Sequence, residues 1–196
     1  MITFYTALSE ESIMAKWKIA PDHVSAGFSV RHMMVTTVHG LFTKVSGVIL
    51  FDPTKPASTS VELEVDVASI YTGVDRRDSH LRSADFFDVD KFPTIYFKST
   101  SAEVVGMNLL KVAGDLTMHG ITRSLFFDVT YLGPSHFIDD DKTYTTYGID
   151  ATTCIQREDF GMIWNLDIEG GGFMVGKHID ITFSAEIDLE EENPSK

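Results

Sequence analysis

The sequence predicts an all-β fold of about eight long antiparallel strands, and three observations carry that expectation. Apolar and polar residues alternate with period two in segment after segment, the pattern of strands with one buried face. Helical periodicity is scarce. One stretch, Gly73 to Pro93, interrupts the alternation with a charged side and an apolar side, and reads as a short helical insert near residues 74-90. Strands of this kind close into an up-and-down barrel or pair as a two-sheet sandwich, and periodicity alone leaves both open.

Taken in order, Trp17 and Ile19 lead to a turn at Pro21-Asp22, after which Ala26, Phe28 and Val30 share one strand face. A long strand or bulged pair follows from Thr36 to Phe51. Phe42, Ile49 and Phe51 are its inward positions, and Gly40 and Gly47 mark bulges or close backbone approach. Val61, Leu63 and Val65 mark the next strand, and Ser69 to Thr72 continues it toward the insert. There Asp75 is placed to cap a first turn and Ser83 a second. Leu81, Phe86, Phe87 and Phe92 form the apolar side of the insert, and Arg76, Arg77, Asp78, His80 and Arg82 the charged one. Such a segment is suited to lie across the mouth of a barrel.

Ile95 and Phe97 resume the sheet. Leu110, Val112, Leu116 and Met118 share one parity, and a His119-Gly120 turn joins them to Leu125, Phe127, Val129 and Tyr131 as a hairpin, with glycine supplying a positive φ. A polar loop from Pro134 to Lys142 precedes a strand with Tyr147, Ile149, Ala151, Thr153 and Ile155 on one face. Gly170, Gly171 and Gly172 read as a turn before the last strand. That strand sets Ile179, Ile181, Phe183, Ala185, Ile187 and Leu189 against Asp180, Thr182, Ser184, Glu186, Asp188 and Glu190.

A length of 196 residues suits one domain with a sizeable core. It divides into an N-terminal extension over 1-14, the folded domain over 15-190 and a solvated tail over 191-196. The formal charge of −13, from 16 basic and 29 acidic residues, has the wrong sign for gripping phosphate backbones and excludes nucleic acid as a main partner. Cys154 is the single cysteine, which excludes an internal disulfide and a thiolate zinc cluster; a small packing residue is expected there. Met1 to Ser12 has no basic n-region and no long apolar run, so the expected location is cytoplasmic. No segment approaches the ~20 apolar residues of a spanning helix, so a soluble chain with no membrane span is expected.

Several motifs, in this order, carry a family resemblance. They are Asp22-His23 with Phe28 and His32; Gly40-Leu41-Phe42; Gly47 to Asp52; Ser69-Ile70 with Thr72; Arg77 to Ser83 with Phe86-Phe87; Phe92-Pro93 with Phe97 and Ser99; Gly114 to Arg123; Arg157 with Asp159-Phe160-Gly161; and Val175-Gly176. From Trp17 to Ile187 the chain resembles the YceI-like family of lipocalin-like lipid-binding proteins. The resemblance implies an extended eight-stranded antiparallel barrel with a long hydrophobic cavity, and ligands that are polyisoprenoids, isoprenoid quinones or other long-chain amphiphiles such as fatty acids and their amides, so that a bound isoprenoid or fatty-acid-like molecule is expected. It also turns inward rows that periodicity leaves as core or lining into expected lipid-binding positions. These are Phe28, Val30, Phe42, Ile49 and Phe97, continuing with Val112, Leu116, Phe127, Ile149, Ile181 and Phe183. Many relatives are periplasmic, and Ser124 stands where proline often follows the His-Gly-x-Thr-Arg turn.

Four polar side chains are head-group candidates: Arg77, His80 and Arg82 in the insert, and His32. The insert gathers cations within an otherwise acidic chain, which suits an anionic or hydrogen-bond-accepting head. The opposing reading is that Asp75, Asp78 and Asp85 neutralise those cations and the cluster pins the insert. Asp78 and His80 could serve a lipid-modifying hydrolase, but no nucleophile elbow of the Gly-x-Ser-x-Gly type accompanies them. His23, His32 and His39 do not fall on one strand face at metal-ligand spacing, so no metal is expected. Arg157 and Asp159 suggest a pair at the end of the domain.

The function expected is non-enzymatic binding, sequestration or transport of one long-chain amphiphile, most simply a polyisoprenoid or isoprenoid quinone, with no cofactor. A second copy of the chain is admitted as a partner. The rival readings are the hydrolase and a filled barrel acting as a protein-interaction module.

Overall fold

The computed structural model describes residues 16–139, 142–169 and 171–189. The extension over 1-14, the tail over 191-196, and Gly170 of the expected glycine turn lie outside the described residues. Ten strands form one antiparallel sheet. They are β1 (Lys16–His32), β2 (Thr36–Phe42), β3 (Val45–Leu50), β4 (Ser60–Asp66), β5 (Ile70–Tyr71), β6 (Thr94–Gly106), β7 (Leu109–Met118), β8 (Ile121–Asp139), β9 (Lys142–Gln156) and β10 (Val175–Leu189). One helix, α1 (Asp75–Arg82), stands between β5 and β6.

Pairing of β10 with β1 closes the sheet, which decides between barrel and sandwich. β2 and β3 succeed one another alongside β1 and fill one position of the ring, and β5 adds two residues beside β2, so the barrel has eight strand positions. The registers Ala26↔Phe183 and Phe28↔Ile181 join the inward rows of the first and last strands. Period-two alternation thereby becomes inside and outside: Phe183, Ala185 and Ile187 are buried while Ser184 and Glu186 between them are exposed.

Four local expectations change. Pro21-Asp22 does not turn the chain; β1 runs on with a register shift between Ile19 and Val24, because both flanks keep their ladder with β10 and a bulge absorbs the residues that do not fit. The segment after Gly133 is a strand arm, not a loop. β8 extends to Asp139 and pairs Phe137↔Tyr144, with Pro134 at an irregularity where no ladder donor is required. Residues 132–137 are exposed, so the arm needs no apolar face and shows no alternation. The insert contains one helix: Val74 occupies its N-cap without a side-chain bond, and turns follow Ser83. Cys154 lies exposed on the outer face, where burial and the facing Asp180 still push its thiol pKa upward.

The glycine expectations have a steric basis. A side chain at Gly40 would press on the Phe28 ring and lie 2.8 Å from Thr72 Cγ2, and one at Gly47 would strike the carbonyl of Glu62 across the sheet. His119 (φ 52) and Gly120 (φ 73) make the tight β7–β8 turn.

At one end of the barrel Trp17 donates from Nε1 to the Phe51 carbonyl at 2.8 Å and meets Tyr147 edge-on at 5.3 Å between centroids. Phe51 and Tyr131 pack at 5.2 Å, and Ile187 is fully buried among them. These rings stopper that end.

Gly47→Ala is expected to destabilise the barrel by about 1–3 kcal/mol in chemical denaturation, because the obstructing atom is backbone and cannot rotate away. The exposed neighbour Ser46→Ala is expected to stay within about 0.5 kcal/mol.

Candidate functional site

The barrel is hollow. An internal cavity of about 200 Å³ lies between the inward rows, far more than the ~10–15 Å³ that one water requires. Its wall includes Phe28 and Val30 of β1, Phe42 of β2, Ile49 of β3 and Phe97 of β6. Val112 and Leu116 of β7, Phe127 of β8, Ile149 of β9, and Ile181 and Phe183 of β10 complete the set expected from the sequence. Strand periodicity brings these residues together because residues two apart share one face of the pleat and the ring has only one interior. Between centroids, Phe28 stands 5.8 Å from Phe42 on the adjacent strand β2, and Phe97 of β6 stands 5.1 Å from Phe127 of β8, one strand removed, so large rings brace neighbouring parts of the wall.

The insert covers the end opposite the aromatic stopper. Leu81, Phe86 and Phe87 join the wall, and Phe87 meets Phe42 edge-on at 5.7 Å. A buried carboxylate sets this position. Asp78, 3% exposed, accepts hydrogen bonds from Thr72 N at 3.0 Å and from the Thr72 hydroxyl. Arg77 donates from Nε to Thr72 Oγ1 at 2.7 Å and from Nη2 to the Thr72 carbonyl at 2.8 Å. Arg82 donates to the carbonyls of Ala68 at 2.9 Å and Ile70 at 2.7 Å. Helix and preceding strand are thus tied by side-chain to backbone bonds.

The four head-group candidates do not belong to the cavity wall. Arg77 and Arg82 direct donors at backbone carbonyls, the pinning role that competed with ligand contact in the sequence. His80 Nε2 lies 2.8 Å from Asp85, and its ring packs edge-on against Phe86 and Trp164. His32 pairs with Thr36 and Val175 near the barrel rim. Asp78 and His80 therefore serve different partners, and no hydrogen bond joins them as a catalytic pair. Among the described residues no group of three or more His, Cys, Asp or Glu gathers as metal ligands.

Arg157 is the one charged side chain among the described wall residues, and the expectation of an Arg157–Asp159 pair does not describe it. It opens the turn after β9, is 2% exposed, and donates to three carbonyls: Gly176 at 3.0 Å, Val175 at 3.4 Å, and Met162. Burial holds its pKa below the ordinary arginine value, opposed by the neighbouring Glu158. Met162 and Val175 also line the cavity. Sequence reasoning missed these three wall residues because they flank irregular backbone, where alternation gives no face.

Against this geometry, a family model described as YceI-like domain matches residues 17–187. A UPF0312 protein of Staphylococcus aureus is 37% identical over 169 residues, covering 86% of this chain and 95% of its own. The crystal structure of Burkholderia cenocepacia BcnA superposes with a TM-score of 0.73 at 24% identity, covering 86% of this chain and 98% of that one. A polyisoprenoid binding domain from Saccharophagus degradans, implicated in plant cell wall breakdown, shares the fold with a TM-score of 0.62 at 15% identity, over 90% and 99% of the two chains.

Asp78→Asn is expected to lower stability by about 1–3 kcal/mol, since the amide replaces an acceptor facing two donors. Hydrogen exchange at the Thr72 amide is expected to accelerate in that variant and to stay unchanged in Asp75→Asn, whose carboxylate is exposed.

Proposed function

The chain belongs to the YceI-like family, and on that premise we propose that it binds one long-chain amphiphile, a polyisoprenoid or isoprenoid quinone, and sequesters or carries it without turnover. The observation that carries the reading is the internal cavity whose wall, among the described residues, is predominantly apolar, with Arg157 its one charged member. Burying about ten methylenes in such a space contributes on the order of 8 kcal/mol before ordering costs. No polar network is needed for affinity. The wall draws on every position of the ring, so a tail would touch side chains distant in sequence and held in one shape by the closed ladder. The shared fold with the polyisoprenoid binding domain of Saccharophagus degradans supports the polyisoprenoid as ligand class.

Organic extraction of the purified protein followed by mass spectrometry is expected to release one dominant long-chain species in near-stoichiometric amount. Phe127→Asp and Phe183→Asp are each expected to abolish its retention and to reduce stability by several kcal/mol, because each sets an unpaired carboxylate against an apolar wall. Retention unchanged in both variants would refute the cavity as the binding site.

A further inference from the structure

We infer that Arg157 is the polar anchor of the cavity and selects an amphiphile whose head is anionic, a carboxylate or a phosphate ester. The inference rests on the reading of the cavity as an amphiphile site. A guanidinium has five N–H donors, and Arg157 directs three bonds at the carbonyls of Gly176, Val175 and Met162. Two N–H donors remain, one on each terminal nitrogen, and guanidinium donors of this kind bind the oxygens of a carboxylate or phosphate.

Charge balance points the same way. All three partners of Arg157 are neutral carbonyls, and no ion pair formed among the described residues includes it. The acidic residue next in sequence, Glu158, pairs with Lys177 of β10 at 3.1 Å. A buried cation whose hydrogen bonds all go to neutral carbonyls stabilises an anion brought beside it more than an exposed cation does, because the surrounding wall is apolar. Arg77 and Arg82 lack this property: both serve carbonyls beside the helix and neither borders the cavity. The carbonyl bonds also fix the guanidinium in place, so an incoming head meets an already oriented group.

The test compares affinities of the intact protein for hexadecanoate and hexadecanol, and for farnesyl phosphate and farnesol. Each anion is expected to bind about tenfold to a hundredfold more tightly than its alcohol. Arg157→Gln is expected to remove most of that ratio. The pair that shows the larger ratio identifies the carboxylate or the phosphate as the preferred head. Because Arg157→Gln also frees three carbonyls and can unsettle the fold, a second measurement uses the unaltered protein. The ¹³C resonance of bound [1-¹³C]hexadecanoate at about pH 6 is expected to be that of an ionised carboxylate, since an apolar cavity without a facing cation would leave the acid protonated. A protonated resonance overturns the proposal, and so does an anion-to-alcohol ratio near one in the unaltered protein or one that Arg157→Gln leaves intact. Failure of the alcohols as well as the anions to bind would overturn the cavity reading itself.

Discussion

Everything in the molecule depends on the ladder between β1 and β10. An open sheet with this alternation would leave one apolar face to be covered by another layer, and α1 with its eight residues is too small to cover it. Closure makes the sheet its own cover. It also gives each of the eight strand positions a neighbour on both sides, so the rows that periodicity aligns within a strand meet those of the adjoining strands through fixed registers such as Phe28↔Ile181 and Val112↔Phe127.

Closure alone does not leave a space, since eight-stranded rings are narrow enough for side chains to fill. Rings stiffen the wall between neighbouring strands, Phe28 on Phe42 and Phe97 on Phe127, and the ends are stopped by different means. The Trp17, Phe51, Tyr131 and Tyr147 group closes one end with stacked apolar bulk and a single indole hydrogen bond. The insert closes the other with a thin layer of Leu81, Phe86 and Phe87, held from behind by polar ties at Thr72, Ala68 and Ile70. The first closure rests on buried area and the second on directional bonds at a partly solvated rim, so their stabilities respond to different perturbations.

The strand faces were legible in the sequence because a pleated strand has a strict period and a closed barrel has only one inside. Periodicity gives these residues, from Phe28 to Phe183, their inward face and the family resemblance their expected place as lining, and all of them lie in the wall. Legibility failed where the backbone leaves the period. The bulge between Ile19 and Val24 reads as a turn because Pro-Asp is turn chemistry, and only the ladder to β10 overrides it. The arm beyond Gly133 reads as loop because residues 132–137 are exposed on both faces and need no apolar row. Periodicity also could not distinguish a filled interior from a hollow one, since the same parity describes both; the volumes and ring contacts decide it.

The charged residues show a further limit of sequence reading. A cation in a sequence suggests either solvent or an anion, yet Arg77, Arg82 and Arg157 all direct their donors at backbone carbonyls. The common cause is the barrel's end. There the chain leaves the ladder for α1 or for the 161–174 connection, carbonyls lose their strand partners, and a planar fork of donors on a long stem reaches several at once. Arginine at a strand end is therefore first a terminator of the sheet. What separates Arg157 from the other two is that it borders the interior itself, as do two of its three carbonyl partners, Met162 and Val175, so the group that terminates the ladder also brings a positive charge to an apolar space.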